Sequence, residues 1–172
     1  LWARAVEKNE VMTICEDDAF FHRDFMSSSQ KFINDIGGDF DFIAWGWNYD
    51  STLWASPLPF LSPCKIEFSQ ESMRLNLDSY LSTQINPLPL RLHNSCGTIA
   101  YTITPAGAQK FISYMLPLKN EVEVLIPNMA ILKIMPSALD MAMGEVFTKT
   151  NSFVSFPPLV LTKNELTEST VS

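Results

Sequence analysis

The chain has 172 residues, a formal net charge of −7 and a pI near 4.7. So acidic a chain lacks the basic face that nucleic-acid phosphates require, which excludes nucleic acid as a partner. No apolar run reaches the roughly 18 residues of a membrane-spanning helix, and a hydrophobic content of 47% is typical of a packed globular protein. We expect a single domain over 1–161 and a polar tail over 162–172.

The apolar periodicity of the first part of the chain predicts a helix end, a strand, a helix and a second strand. The first strand is apolar on both faces, so we expect it in the centre of a covered sheet. The following helix has apolar residues at spacings of three and four and ends at a pair of glycines. This order indicates an α/β fold. The four elements are expected at residues 1–8, 11–15, 23–36 and 40–47.

The remainder of the chain begins with a proline-interrupted stretch, residues 48–96, which we interpret as mostly irregular and as the place for an acceptor-binding loop. A strand is then predicted over 97–104. Thr104 as N-cap and Pro105 at the first helical position open the next helix. The last expected elements are a short strand or helix within 118–136, a helix over 138–146 capped by Ser137, and a strand over 153–161.

Three consecutive acids, Glu16, Asp17 and Asp18, follow the first predicted strand. Adjacent carboxylates repel one another and their apolar flanks remove solvent, so a bound cation would relieve a local cost. Hard oxygen ligands without a His or Cys cluster favour Mg²⁺ or Mn²⁺, which commonly bridge carboxylates to substrate phosphates. The pattern therefore indicates a nucleotide diphosphate as ligand. The alternative is a set of solvated acids that cap the following helix.

The order of the motifs resembles glycosyltransferase family 25, the bacterial lipooligosaccharide galactosyltransferases and their collagen-modifying relatives. The motifs are an Ile-Cys-Glu-Asp-Asp strand end at 14–18, Asp-Phe-Asp-Phe-Ile at 39–43, a Gly-Thr-Ile-Ala-Tyr-Thr-Ile-Thr-Pro-Ala-Gly-Ala-Gln-Lys-Phe segment at 97–111, and Leu-Asp-Met at 139–141. The first and third motifs together are fairly specific. The resemblance extends over roughly residues 1–161.

This resemblance implies a GT-A-like fold, a mixed α/β sheet flanked by helices. It implies a divalent metal, a uridine diphosphate sugar donor, and inverting transfer of a hexose, most commonly galactose, to a glycan acceptor in lipooligosaccharide synthesis. Family members begin with a further strand and helix ahead of the segment matching Leu1, so we expect an N-terminally incomplete unit. A cytoplasmic location, peripheral to the bacterial inner membrane, is also implied.

Site roles follow from matching the motifs. Glu16 and Asp18 are the expected metal ligands, and side-chain alternation in an extended segment turns Asp17 away from them, towards the backbone or the ribose. Asp140 is the expected general base, since an inverting transfer needs a carboxylate to take the proton of the acceptor hydroxyl. Its alternative role is that of a first-turn acid that complements the helix dipole.

Five further residues are expected to bind substrate. Trp45, Trp47 and Asn48 follow the second strand, where indole faces suit a sugar ring and the amide suits its hydroxyls. The alternative for the two tryptophans is the core. Thr98 and Tyr101 are expected on one face of the third strand, with a buried aromatic as the alternative for Tyr101.

Two other classes of function remain open at this point. A truncated fold of this kind would also serve as a non-catalytic carbohydrate-binding or partner-binding module. A metal-dependent phosphohydrolase ranks last, because such sites recruit additional His or Asp ligands that the sequence does not offer.

Overall fold

The computed structural model describes residues 1–58 and 60–164. The part of the predicted tail at 165–172 lies outside the described residues. The helices are α1 (Trp2–Lys8), α2 (Phe25–Asp35), α3 (Gln70–Ser82), α4 (Pro105–Met115) and α5 (Leu139–Phe147). The strands are β1 (Met12–Cys15), β2 (Phe20–Phe21), β3 (Phe42–Ala44), β4 (Leu53–Leu58), β5 (Ser62–Ile66), β6 (Leu88–Asn94), β7 (Ala100–Ile103), β8 (Val122–Ile126), β9 (Ala130–Ile134), β10 (Ser152–Phe156) and β11 (Val160–Leu161).

Seven of these strands form one mixed sheet in the order β1-β7-β3-β10-β6-β4-β5. β3 and β10 are parallel, and the other neighbouring pairs are antiparallel. β7 lies between β1 and β3, with Cys15 opposite Ala100 and Ala44 opposite Tyr101. The carboxyl ends of β1 and β3 therefore meet at the edge where β7 begins. The predicted α/β sheet flanked by helices is confirmed.

Both faces of the sheet are covered. β3 is buried along its whole length, and its alternating side chains enter two separate core clusters, as the pleat requires. Phe42 packs with Phe111 of α4 on one face, in the cluster that also takes in α1 and α5. Ile43 lies with Phe32 of α2 on the other face. The sheet is thus the middle layer of a helix–sheet–helix arrangement.

The signals that predicted α4 act as expected. Thr104 is its N-cap, and the Thr104 hydroxyl oxygen accepts a hydrogen bond of 3.0 Å from the backbone N–H of Gly107. Pro105 occupies the first helical position, where its missing N–H costs nothing. Gly37 and Gly38 follow α2 with φ of 65° and 72°. Glycine adopts these conformations without steric cost.

The first strand lies at the edge of the sheet, not in its centre. β1 pairs with β7 alone, and its residues alternate between half-buried and exposed. Met12 and Ile14 pack on the core while Thr13 is exposed. The expected burial on both faces was wrong, because only the face of β1 that carries Met12 and Ile14 packs on the core.

The expected irregular stretch 48–96 holds β4, β5, α3 and β6. Two of its prolines stand where a strand ladder tolerates a missing N–H. Pro57 lies within the irregular register of β4 between Ala55 and Leu58, and Pro63 lies on the edge strand β5. Pro89 of β6 pairs with Ser155 of β10 and precedes Arg91, where the pairing with β4 starts. Proline content alone therefore gave the wrong prediction here.

The stretch 118–136 forms an antiparallel hairpin of β8 and β9, with Asn128 in its turn at φ 60°. α5 starts one residue later than expected, with Ala138 as its N-cap. Ser137 does not cap the helix, because its hydroxyl contacts the Met141 sulfur instead. Within residues 1–58 and 60–164, no helix is both long and apolar enough to cross a membrane.

Gly107 lies where α4 contacts the start of β3, and a substitution there tests this packing. A Cβ at this position would lie 2.1 Å from the carbonyl oxygen of Asp41. Because that neighbour is backbone and cannot swing aside, Gly107→Ala is expected to lower the free energy of unfolding by about 3 kcal/mol. Urea denaturation measures the change, with Gln109→Ala on the exposed side of α4 as control. A loss no larger than that of the control would contradict this packing.

Candidate functional site

The segment 96–99, just ahead of β7, ties together the parts of the chain that carry the expected site residues. The Glu16 backbone N–H donates to the Ile99 carbonyl at 2.9 Å, and the Asn48 N–H donates to the Cys96 carbonyl at 2.9 Å. The Gly97 N–H donates to Asp140 Oδ2 at 2.7 Å. The end of β1, the chain after β3 and the first turn of α5 therefore meet at this segment.

Glycine is required at position 97. Its φ is +95°, a region that side-chain-bearing residues avoid. A Cβ there would also lie 2.6 Å from the Asn48 Oδ1 and 2.7 Å from the Asn48 backbone nitrogen. The Asn48 side chain is half-buried against this turn, which keeps it beside the expected site.

Five carboxylates surround the 96–99 segment, and we call them the acid cluster: Glu16, Asp17, Asp18, Asp50 and Asp140. The pKa of Glu16 is raised above its ordinary value, first by partial removal of solvent from its carboxylate, although the residue as a whole is exposed. The Thr98 hydroxyl opposes this shift, and the charges of Asp18, Asp140 and Asp17 reinforce it. Asp17, Asp18 and Asp140 therefore lie close enough to Glu16 to repel its charge.

Neutral donors hold three of these carboxylates. Thr98 Oγ1 donates to Glu16 Oε1 at 2.5 Å, and Thr162 Oγ1 donates to Asp18 Oδ2 at 2.5 Å. The amide of Asn164 donates to Asp50 Oδ2 at 3.0 Å. These bonds orient the carboxylates without neutralising them.

Asp140 is held by two backbone N–H groups. Gly97 donates to one of its oxygens at 2.7 Å, and Met141 of its own helix donates to the other at 2.8 Å. Asp140 lies in the first turn of α5, where the helix dipole favours a negative charge. These bonds agree with the alternative role of Asp140 as a first-turn acid. They also fix the direction of its carboxylate towards the 96–99 segment.

No Lys or Arg of the described residues forms an ion pair with the acid cluster. Among the described residues, the ion pairs of Lys and Arg all go to other acids. Across residues 1–58 and 60–164, no group of three or more His, Cys, Asp or Glu side chains is placed to hold a metal by itself. The donor set is nevertheless the one that Mg²⁺ and Mn²⁺ accept, since these ions use one or two carboxylates together with water and substrate phosphates. The residues fit a metal that arrives with a diphosphate.

The acidic triplet is not extended. β1 ends at Cys15, and Asp17 and Asp18 lie in a turn in which the Ala19 N–H donates to the Glu16 carbonyl at 3.4 Å. Strand alternation therefore does not decide which acids face together, so that argument was wrong. Asp18 reaches Thr162, whereas Asp17 is exposed at the turn.

The two tryptophans take the core alternative. Trp45 is 0% exposed and Trp47 is 1% exposed, so neither ring has a face open to a sugar. Trp45 packs against Phe25 and Phe32 and donates to Thr102 Oγ1 at 2.7 Å. The expectation of sugar stacking fails because the sheet is covered on both faces, even beyond the end of β3.

Tyr101 and Thr98 do not share one face. Tyr101 is 6% exposed and stacks on Phe42, and its hydroxyl accepts from the Trp2 indole at 3.0 Å. Tyr101 is therefore a satisfied core aromatic. Thr98 precedes β7, is half-exposed, and belongs to the acid cluster through Glu16.

Cys96 lies between two members of the acid cluster. Burial, followed by the charges of Asp140 and Asp50, raises its pKa to about 11. The thiol is thus neutral near pH 7 and unsuited to nucleophilic attack.

The model of glycosyltransferase family 25 (LPS biosynthesis protein) matches residues 1–126, well over half of the chain. The chain belongs to glycosyltransferase family 25. This family places it among the sugar transferases of lipopolysaccharide biosynthesis. The match ends with β8, short of the 1–161 expected from the motifs, so Asp140 lies beyond it. Neither a curated protein nor a solved structure matches the chain.

Sequence reasoning missed Asp50, Cys96 and Thr162. Asp50 follows directly on Asn48 and Tyr49, so its place after β3 was a usable signal. Thr162 had no signal, because it reaches Asp18 across 144 positions of sequence.

The raised pKa of Glu16 predicts a pH dependence of stability. The folded chain disfavours the ionised carboxylate, so the contribution of Glu16 to stability is highest below the ordinary glutamate pKa and falls as pH rises through the raised value. Glu16→Gln keeps the acceptor for Thr98 and removes the titration. The free energy of unfolding of the wild type, minus that of the variant, should therefore fall with rising pH across this window.

Urea denaturation at a series of pH values measures this difference. Glu10→Gln, an exposed position before β1, is the control. A difference that stays level or increases with pH would show that the folded chain does not penalise the Glu16 charge.

Proposed function

We propose that this chain is a metal-dependent hexosyltransferase that moves galactose from uridine diphosphate galactose to a glycan hydroxyl in lipopolysaccharide synthesis. The observation that carries the proposal is the acid cluster, five carboxylates without a basic partner among the described residues, in a chain of glycosyltransferase family 25. Family membership supports sugar transfer, and the unpaired charges support a cation and a diphosphate.

Glu16 and Asp18 are the residues that would hold the metal. Each has one carboxylate oxygen engaged by a threonine hydroxyl, at Oε1 and Oδ2 respectively. A bound Mg²⁺ or Mn²⁺ would neutralise the diphosphate leaving group as a Lewis acid. Thr98 and Thr162 fix the direction of the two carboxylates, and Asp17 at the exposed turn is free to meet the ribose.

Asp140 is the proposed base. The N–H groups of Gly97 and Met141 hold its carboxylate in one orientation, and each oxygen keeps a lone pair that can accept the proton of an acceptor hydroxyl. Asn48 lies across the Gly97 turn, and in this proposal its amide hydrogen-bonds sugar hydroxyls. With the tryptophans buried, Asn48 and Thr98 are the remaining substrate-binding candidates from the sequence.

The cellular setting belongs to the same proposal. As the resemblance to the family implies, we place this activity in the cytoplasm, at the surface of the inner membrane. The second candidate is a carbohydrate-binding module without catalysis. It is favoured by one observation, that both Asp140 oxygens already accept backbone hydrogen bonds.

Metal removal tests the first part of the proposal. Transfer of galactose from the uridine diphosphate donor should stop with EDTA and return with Mn²⁺. Asp18→Asn should lower kcat at least about 100-fold, because a neutral amide is a poor ligand for a hard cation. Asp35→Asn, an acid paired with Lys31 on α2, is the matched control and should be unchanged. Equal rates with and without EDTA, together with a fully active Asp18→Asn, would remove the metal from the mechanism.

The base is tested separately. Asp140→Asn retains a carbonyl oxygen for the Gly97 N–H and should lower kcat by about 10²- to 10⁴-fold, with donor affinity unchanged. A variant that folds and transfers at the wild-type rate would assign Asp140 to helix capping alone.

A further inference from the structure

A cavity of about 280 Å³ lies between the chain after β3 and one face of α3. Small-molecule sites commonly measure roughly 300 to 1,000 Å³, so this cavity has room for one sugar ring and not for a whole nucleotide sugar. Its lining residues are Tyr49, Phe68, Ser69, Ser72, Met73, Asn76, Tyr80 and Leu161.

The wall of the cavity is aromatic. Tyr49 and Phe68 stack with their ring centres 4.5 Å apart, and Trp47 supports both rings from behind at 5.5 Å. The apolar C–H face of a pyranose packs on surfaces of this kind, and a few placed polar groups then fix its orientation. Tyr80 closes the base, held by a hydrogen bond of 2.8 Å from its hydroxyl to the Pro158 carbonyl.

The rim supplies the polar groups. The Asn76 amide donates to the Ser72 carbonyl at 2.8 Å, which turns the amide along α3 and leaves its carbonyl oxygen for a ligand. Ser69 and Ser72 add hydroxyl groups to the lining.

The lining contains no charged side chain that could pair with an anion. The cavity therefore suits a neutral sugar and disfavours a phosphate or an acidic sugar. Two chain connections join it to the acid cluster: Tyr49 lies between Asn48 and Asp50, and Leu161 precedes Thr162, which donates to Asp18. A ring in the cavity would therefore contact residues that adjoin Asp50 and Thr162 in the sequence.

We propose that this cavity binds the terminal neutral hexose of the glycan acceptor and sets the specificity of the chain for it. That the bound sugar is the acceptor rests on the proposed function. That the cavity binds a neutral sugar ring is inferred from the cavity alone.

Asn76→Trp tests the assignment by filling the cavity from an exposed rim position. Asp78→Trp is the matched control, because it adds the same side chain two residues further on, on the opposite side of α3, and both positions are exposed. Saturation-transfer NMR with neutral methyl hexopyranosides, without donor or metal, should detect binding to the wild type and to Asp78→Trp. Asn76→Trp should lose at least 10-fold in affinity.

Kinetics then separates this inference from the proposed function. Asn76→Trp should raise the acceptor KM at least 10-fold and leave the affinity for uridine diphosphate galactose unchanged. Galactose transfer that is insensitive to Asn76→Trp would overturn the acceptor site and leave the transferase standing. Hexose binding that Asn76→Trp abolishes, in a chain without any transfer activity, would retain the sugar site and overturn the transferase. Absence of hexose binding by the wild type would overturn the cavity assignment.

Discussion

The site depends on how the segment 96–99 is bound. Three separate parts of the chain attach to four residues through the Glu16 and Asn48 backbone N–H groups and the Asp140 carboxylate. Gly97 makes this possible, since its positive φ and missing side chain let Asn48 approach to a distance that a Cβ would not allow. Core packing fixes the strands and α5. It therefore also sets the positions of the carboxylates that follow these strands or lie on α5.

That arrangement concentrates negative charge. The two buried acids of the described chain have basic partners: Asp41 pairs with Lys110, and Glu145 pairs with Lys119 and Lys149. The acid cluster has hydroxyl and amide donors in their place, which orient carboxylates and leave their charge uncompensated. Uncompensated charge of this kind destabilises the folded chain. Under the proposed function, a divalent cation bound with the diphosphate leaving group would relieve this repulsion.

Local signals predicted much of the fold. The cap of α4 by Thr104, the glycine pair after α2 and the first-turn position of Asp140 each depend on residues close in sequence. Burial of Trp45 and Trp47 depends instead on partners more than a turn away, such as Phe32, Phe68 and Phe156. An aromatic residue at a strand end looks the same in sequence whether its face is open or covered.

The site, like the fold, was predictable only where a local sequence signal existed. The acidic triplet and Asp140 were visible as residue types in a motif order, but their geometry was not. Asp17 and Asp18 form a turn where alternation predicted an extended strand, and Asp50 and Thr162 enter through long-range contacts. The aromatic cavity is built by α3, which lies in the stretch that proline content marked as irregular.

Paramagnetic broadening by Mn²⁺ tests most directly whether the acid cluster exists to bind a cation. In an amide NMR spectrum with uridine diphosphate present, substoichiometric Mn²⁺ should first broaden the resonances of Glu16, Asp18 and residues 97–99. The amides around Glu121 and Glu123, acids that share Lys133 as a partner, should broaden only at higher concentration. Broadening that begins at those residues, or that spreads evenly over the surface, would contradict the account.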